Sequence, residues 1–253
     1  MWIDLVRAAI LAFVMAFVMA FVLAAGLATV PAAAGELADF NAAVEKASAH
    51  NRVASGYLRT GNRDLALIEI GRLRTAWAAV VTRFAGKRPD AFDDGAQFGA
   101  ALTDVSTQLV AADMMLNSGR LEAARNSLAA VRTSLSNLRR ANGIVVLADC
   151  IFDANAAMQA LSVYDDRALD WSKSETRFGV ASKATIYGYE LSRCDRIASE
   201  QVRSTAEFRR LIDGANAGLA LVPKAIATRD SELLHRIIIE LRSFDNLLAF
   251  RFG

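Results

Sequence analysis

The sequence predicts an all-α protein built from two tandem antiparallel four-helix bundles, and three observations lead to this fold class. Of the 253 residues, 15 are glycine, only 3 are proline and many are alanine, a composition that favours helices. Apolar residues recur at alternating steps of three and four, and no stretch shows the sustained period-two alternation of a strand. Turn signals divide the chain into about eight helical segments, which form four helix–turn–helix units.

The chain opens with a long apolar segment. Residues 8–30 carry no charge, Arg7 precedes them, and Ala32, Ala33 and Ala34 follow them. This order is typical of a secretory signal peptide over residues 1–34, with cleavage expected after Ala34. Because about 20 apolar residues can also span a bilayer, an uncleaved anchor stays open as the only membrane contact. We expect a periplasmic or secreted protein.

Apolar seams with a period near 3.5 define the helices that follow. The clearest seams run over 73–84, 98–116, 121–138 and 234–248. The predicted turns lie at 60–62, 86–94, 118–119, 142–143, 164–166 and 228–230. Since one helix pair buries only one stripe, two pairs must close on each other. We therefore expect one bundle over residues 35–141 and a second over residues 142–253.

The helix boundaries between Ala181 and Glu207 stay open. Tyr187, Gly188 and Tyr189 indicate an interruption, and the residues from Ser204 to Glu207 have the form of a capping box that starts a new helix. The alternative is one unusually long helix through the whole region. Further along, Pro223 is expected to kink or restart its helix, because proline lacks a backbone donor.

The two cysteines, Cys150 and Cys194, predict a disulfide. They are the only pair in the chain, and in an oxidising compartment two cysteines more often pair than stay free. The alternative is a redox-active or metal-binding thiol pair, although the CxxC spacing and a neighbouring histidine are both missing.

An arginine recurs thirteen residues after each of four turn positions, which are Gly61, Gly119, Tyr164 and Arg229. The four arginines are Arg74, Arg132, Arg177 and Arg242. Each helix–turn–helix unit would then present an arginine at one place on its second helix. An arginine of this kind usually pairs with a carboxylate on a neighbouring helix, at a gain below about 1 kcal/mol. Two further hypotheses are a polar contact that fixes the hairpin register and an anion site at the ends of the bundles.

The last helix carries a resemblance to a known family. It reads SFDNLLAFR, and tandem bundles of this kind resemble the cytochrome c′ architecture, in which the last helix carries CxxCHxxFR. Phe250 and Arg251 match the end of that motif. Ser243 and Asn246 stand at the cysteine positions, and Leu247 stands at the position of the iron-binding histidine. The resemblance implies the bundle organisation without covalent haem, so we expect no cofactor.

The composition of the chain and the motifs that it lacks limit its possible functions. With 29 basic and 27 acidic residues the net charge is only +2, so nucleic acid is not an expected partner. The motifs of metalloproteases, phosphate-binding loops and di-iron bundles are missing. We expect a non-enzymatic module that binds a protein or a small molecule through helical surfaces or an inter-bundle groove. Two alternatives stay open, non-covalent haem or copper binding (the latter through Met114, Met115 or Met158) and an enzyme of unrecognised type.

Overall fold

The computed structural model of the protein describes residues 32–253, with side chains from Gly35 onwards, so the predicted signal peptide lies almost entirely outside the described residues. The described part is helical and contains no strand, which confirms the all-α prediction. None of its helices is both long and apolar enough to cross a membrane.

The first bundle consists of α1 (Ala32–Arg59), α2 (Arg63–Phe84), α3 (Gly95–Asn117) and α4 (Leu121–Ala141). Each helix packs against the next, and α4 closes the bundle on α1. The predicted turns are confirmed. Gly61 and Gly119 adopt φ values of +74° and +78°, which glycine reaches without steric cost. Asp94 caps α3 by accepting from the backbone N–H groups of the first turn, whereas Asp93 does not cap it.

The second bundle has the same antiparallel arrangement, but its third member is broken into shorter helices. The helices are α5 (Leu147–Ser162), α6 (Ser174–Ile197), the single-turn α7 (Glu200–Arg203), α8 (Ala206–Leu219), α9 (Val222–Thr228) and α10 (Ser231–Phe252). Helix α5 packs on α6 and α10, and α8 packs on α10 and α6. The break between α8 and α9 falls just before Pro223, which stands in the first turn of α9, so the predicted restart is confirmed.

The predicted interruption at Tyr187, Gly188 and Tyr189 is wrong. Helix α6 runs through all three residues, because Tyr187 is fully buried in the bundle core and holds the helix there. The helix ends at Ile197, so the single long helix is wrong as well. The next cap lies one residue later than the capping box predicts, since the Thr205 hydroxyl accepts from the N–H of Phe208.

Cys150 on α5 and Cys194 on α6 lie at disulfide distance. Their Cα atoms are 5.4 Å apart, and both residues are buried in the core of the second bundle. The pairing that the sequence predicts therefore agrees with the geometry, and it clamps the first helix pair of this bundle.

The two bundles have separate apolar cores. The first core extends along the chain from Phe40 to Leu138, and the second extends from Cys150 to Leu248. Contacts between α1 and α10 and the short connection over residues 142–146 bring the bundles side by side. At the junction Arg139 and Asp149, both buried, form a two-pronged ion pair with two N···O distances of 2.6 Å.

Candidate functional site

The four predicted arginines do not occupy equivalent positions. Arg74, Arg132 and Arg242 are each the twelfth residue of their helix, since those helices begin at Arg63, Leu121 and Ser231. Arg177 is only the fourth residue of α6. The prediction of four matching positions is wrong because the connection before α6 is long, and aspartate side chains accept from its backbone N–H groups.

Three of these arginines have structural partners within their own bundle. Arg74 binds Asp113 of α3 at 2.8 Å, and Arg242 binds Asp165 at 3.0 Å. Arg177 donates to the backbone carbonyl of Trp171 at 2.5 Å. These contacts tie helices or loops of one bundle together. The four arginines are not brought together.

Arg132 is the exception, because it lies on the face of α4 that meets the second bundle. Its guanidinium stacks over the ring of Phe152 of α5, with 5.2 Å between the guanidinium carbon and the ring centroid. Its Nη2 atom is buried and has no hydrogen-bond partner within residues 32–253. Burial, and then the charge of the neighbouring Arg52, lower the pKa of Arg132 against the opposing charges of Asp149 and Asp245, so its charged form is disfavoured at this position.

A cavity of about 370 Å³ opens beside Arg132, between α1 and α4 of the first bundle and α5 and α10 of the second. Four arginines line it, and the carboxamides around it belong to five residues. The arginines are Arg52, Arg59, Arg125 and Arg132, and the carboxamide residues are Asn51, Asn126, Asn155, Gln159 and Asn246. Within the described part of the chain, no acidic side chain lines this cavity. We call it the inter-bundle cavity.

Two of the lining residues are held in place by the first bundle. Arg52 binds Glu45 at 2.5 Å and donates to the main-chain oxygen of Gly253, the last residue of the sequence, at 2.5 Å, so its guanidinium is fixed at the inner end of the cavity. Asn51 is buried and donates to the carbonyl of Leu128 at 3.1 Å, which joins α1 to α4. Its Oδ1 atom, like Nη2 of Arg132, is buried without a partner in the described protein.

A buried carboxyl lies behind the wall that the second bundle contributes. Asp245 of α10 is 2% exposed and accepts from the side-chain amide of Asn155 at 2.5 Å. Burial raises the pKa of Asp245 to about 6, against the opposing effects of Asn155, Tyr187 and the charge of Arg132. Burial also raises the pKa of the neighbouring Tyr187 hydroxyl, and the charge of Asp245 adds to that shift. Asn155 therefore connects the cavity to a carboxyl that can change charge near neutral pH.

Each bundle also has a groove between its second and third members. The groove in the first bundle lies between α2 and α3, the one in the second lies between α6 and the α8–α9 pair, and each measures about 620 Å³. The latter is lined mainly by small and apolar residues such as Ala184, Gly188 and Ile226. These grooves are larger than the inter-bundle cavity, but each has only one arginine or carboxamide in its lining, Arg74 in the first and Asn216 in the second, whereas a polar ligand is oriented by several convergent polar groups.

The recurrence of arginine after the turns points to Arg132 but not to the other three arginines of the cavity. A usable signal was present, because Arg52 and Arg59 are seven residues apart, as are Arg125 and Arg132. A spacing of seven places two side chains on one helix face. What the sequence alone does not show is that these two faces meet on the same side of the first bundle.

Comparison of the chain with protein-family models, with curated proteins and with solved structures finds no match.

Proposed function

We propose that this protein is an exported, non-enzymatic binding protein whose small-molecule ligand occupies the inter-bundle cavity. The observation that carries the proposal is the position of Arg132. This arginine lies between two separately packed cores, lines a cavity of about 370 Å³ and has a buried donor atom that the described protein leaves unpaired. A cavity of that size with a few convergent polar groups is typical of a small-ligand site.

The chemistry of the lining favours binding over catalysis. The charged groups in the wall are arginines, which stay protonated at physiological pH and do not exchange protons in general acid–base steps. The two histidines are engaged elsewhere, His50 with Glu69 at 2.7 Å and His235 with Asp165 at 2.5 Å. The methionines of the copper alternative do not form one site, since Met114 is exposed, Met115 packs against the first core and Met158 is buried in the second core.

Export is supported by the apolar segment over residues 8–30 and by the two cysteines at disulfide distance, because disulfides persist in oxidising compartments. Mass spectrometry of the protein recovered from an expressing bacterium tests this part. We expect a periplasmic chain that begins at Gly35, whereas a membrane-bound chain that retains residues 1–34 would support the uncleaved anchor.

A thermal-shift screen of a metabolite library against the purified protein tests the binding role. A ligand of the inter-bundle cavity should raise the melting temperature of the wild type but not of Ala129→Met, because Ala129 lines the cavity and the larger side chain fills it. Ala78→Met is the matched control, since Ala78 is an exposed alanine that lines the groove of the first bundle. If the ligand no longer raises the melting temperature of Ala78→Met but still raises that of Ala129→Met, the proposed site is wrong. Turnover of the bound compound would refute the non-enzymatic role.

A further inference from the structure

The four arginines of the inter-bundle cavity form two pairs at different depths. Helices α1 and α4 are neighbours that run in opposite directions, so the residue number rises along one helix where it falls along the other. Two residues that lie at the same height in the bundle therefore have numbers that add up to the same value. Arg52 and Arg132 are close enough that the charge of Arg52 lowers the pKa of Arg132. Their numbers sum to 184, and so do those of Arg59 and Arg125. The second pair therefore lies two helical turns away, at a distance of about 10 Å along the bundle.

The inner pair is suited to bind one anionic group. Arg132 has its guanidinium plane fixed by Phe152 and a buried Nη2 without a partner in the described residues. Asp149 and Asp245 act on its charge only through space, because neither forms an ion pair with it. A carboxylate or phosphate group would supply the partner that Nη2 of Arg132 lacks among the described residues, and an arginine can bind such a group with two parallel hydrogen bonds. Arg52 already binds Glu45 and the main-chain oxygen of Gly253, so it adds its positive charge and its remaining donor capacity to this site.

The outer pair marks the mouth of the cavity. Arg59 is exposed, and Arg125 is 45% exposed and binds Glu122 one turn away at 2.8 Å. Besides the arginines, the wall consists of the five carboxamide residues, two phenylalanines and four small residues, without an acidic group among the described lining residues. The phenylalanines are Phe152 and Phe250, and the small residues are Ser55, Gly56, Ala129 and Ala249. A ligand that extends from the inner pair to the mouth thus meets positive charge at both ends and hydrogen-bonding groups along its length.

Building on the proposed function, we infer that the ligand is an elongated organic dianion, with one carboxylate or phosphate group bound by Arg132 and Arg52 and a second bound by Arg59 and Arg125.

Calorimetric titration of the purified protein with succinate, suberate, sebacate and octanoate tests this inference. Suberate and sebacate can reach across the two pairs, succinate is too short, and octanoate has only one anionic end. We expect at least about tenfold tighter binding of suberate or sebacate than of succinate or octanoate. Phosphate-ended analogues of the same length, the alkane bisphosphates, show which oxyanion the pairs prefer.

Three variants locate the two ends. Arg132→Gln should weaken suberate and octanoate binding alike by about tenfold or more, whereas Arg125→Gln should weaken only suberate. Arg74→Gln is the matched control, because Arg74 is also the twelfth residue of its helix but pairs with Asp113 away from the cavity. The melting temperature without ligand distinguishes a binding role from a structural one. Arg132→Gln should leave it unchanged or raise it, since the variant removes a buried charge that is disfavoured at this position.

Equal affinities for octanoate and suberate, or an Arg125→Gln variant that binds suberate like the wild type, would overturn the two-ended ligand. A neutral or cationic compound whose thermal shift is abolished by Ala129→Met would also overturn it, while the proposed binding function would stand. The proposed function itself fails if ligands stabilise the Ala129→Met variant as much as the wild type.

Discussion

Replacing Asp245 by asparagine should change how the stability of the protein depends on pH. Asparagine has nearly the same size as aspartate, and its carbonyl oxygen can still accept the hydrogen bond from Asn155. The substitution therefore removes the ionisable group with little change in packing.

The magnitude follows from the pKa of Asp245, which burial raises from 3.8 to about 6. Below the lower value the carboxyl is protonated in the folded and the unfolded chain, and above the higher value it is ionised in both. Between them the folded protein binds the extra proton, so its free energy of unfolding falls as the pH rises through this window. A shift of about two pH units corresponds to about 3 kcal/mol. The free energy of unfolding of Asp245→Asn should therefore exceed that of the wild type by about 3 kcal/mol at about pH 8, and the two values should differ little at about pH 4.

Urea unfolding followed by circular dichroism, repeated at pH steps across this window, measures both free energies. Asp213→Asn is the control, because Asp213 is an exposed carboxylate on α8 and its loss should leave the wild-type profile unchanged. If the wild-type and Asp245→Asn curves run parallel from acid to neutral pH, the carboxyl does not resist ionisation in the fold and the reasoning is wrong.

Four further substitutions test the packing. Cys150→Ser should lower the free energy of unfolding by up to about 4 kcal/mol, because the disulfide closes a loop over a sequence separation of 44 residues; an unchanged urea midpoint would argue against the bond. Arg139→Met should cost about 3–5 kcal/mol by leaving its aspartate partner buried and unpaired, and a thermal melt that matches the wild type would contradict this. Gly214→Ala should destabilise by about 1–3 kcal/mol, since a Cβ there would lie 2.6 Å from the Phe244 ring. Gly71→Ala, with nothing within 4 Å of its Cβ, should raise the free energy of unfolding by about 0.5–1 kcal/mol. A urea midpoint that is higher for Gly214→Ala than for Gly71→Ala would refute the packing argument.

Much of the fold follows from local signals in the sequence. The seam from Phe98 to Leu116 and the seam from Leu121 to Leu138 coincide with the buried faces of α3 and α4, because heptad-like spacing leaves only one face to bury. Gly61 and Gly119 end helices as predicted, since their φ values are the ones that glycine adopts freely. These elements depend on residues within one or two turns of each other.

The predictions that fail depend on contacts between distant segments. Tyr187 and its neighbours look like a break, but packing in the second core keeps α6 continuous. Arg177 is out of register because the length of the loop before α6 depends on contacts of its aspartates with the backbone. The cavity is harder still to predict, since Arg52 and Arg132 come from different hairpins and Asn155 comes from the other bundle.

The ion pair between Arg139 and Asp149 has a consequence for how a ligand would enter. It joins the last turn of α4 to the first turn of α5 across a connection of only five residues, which restricts bending between the two bundles at this point. The walls of the cavity are thus preorganised, and little conformational entropy remains to be lost on association. Binding should then be a single diffusional encounter without domain closure. Breaking the ion pair between Arg139 and Asp149 should lower the association rate constant before it changes the ligand selectivity.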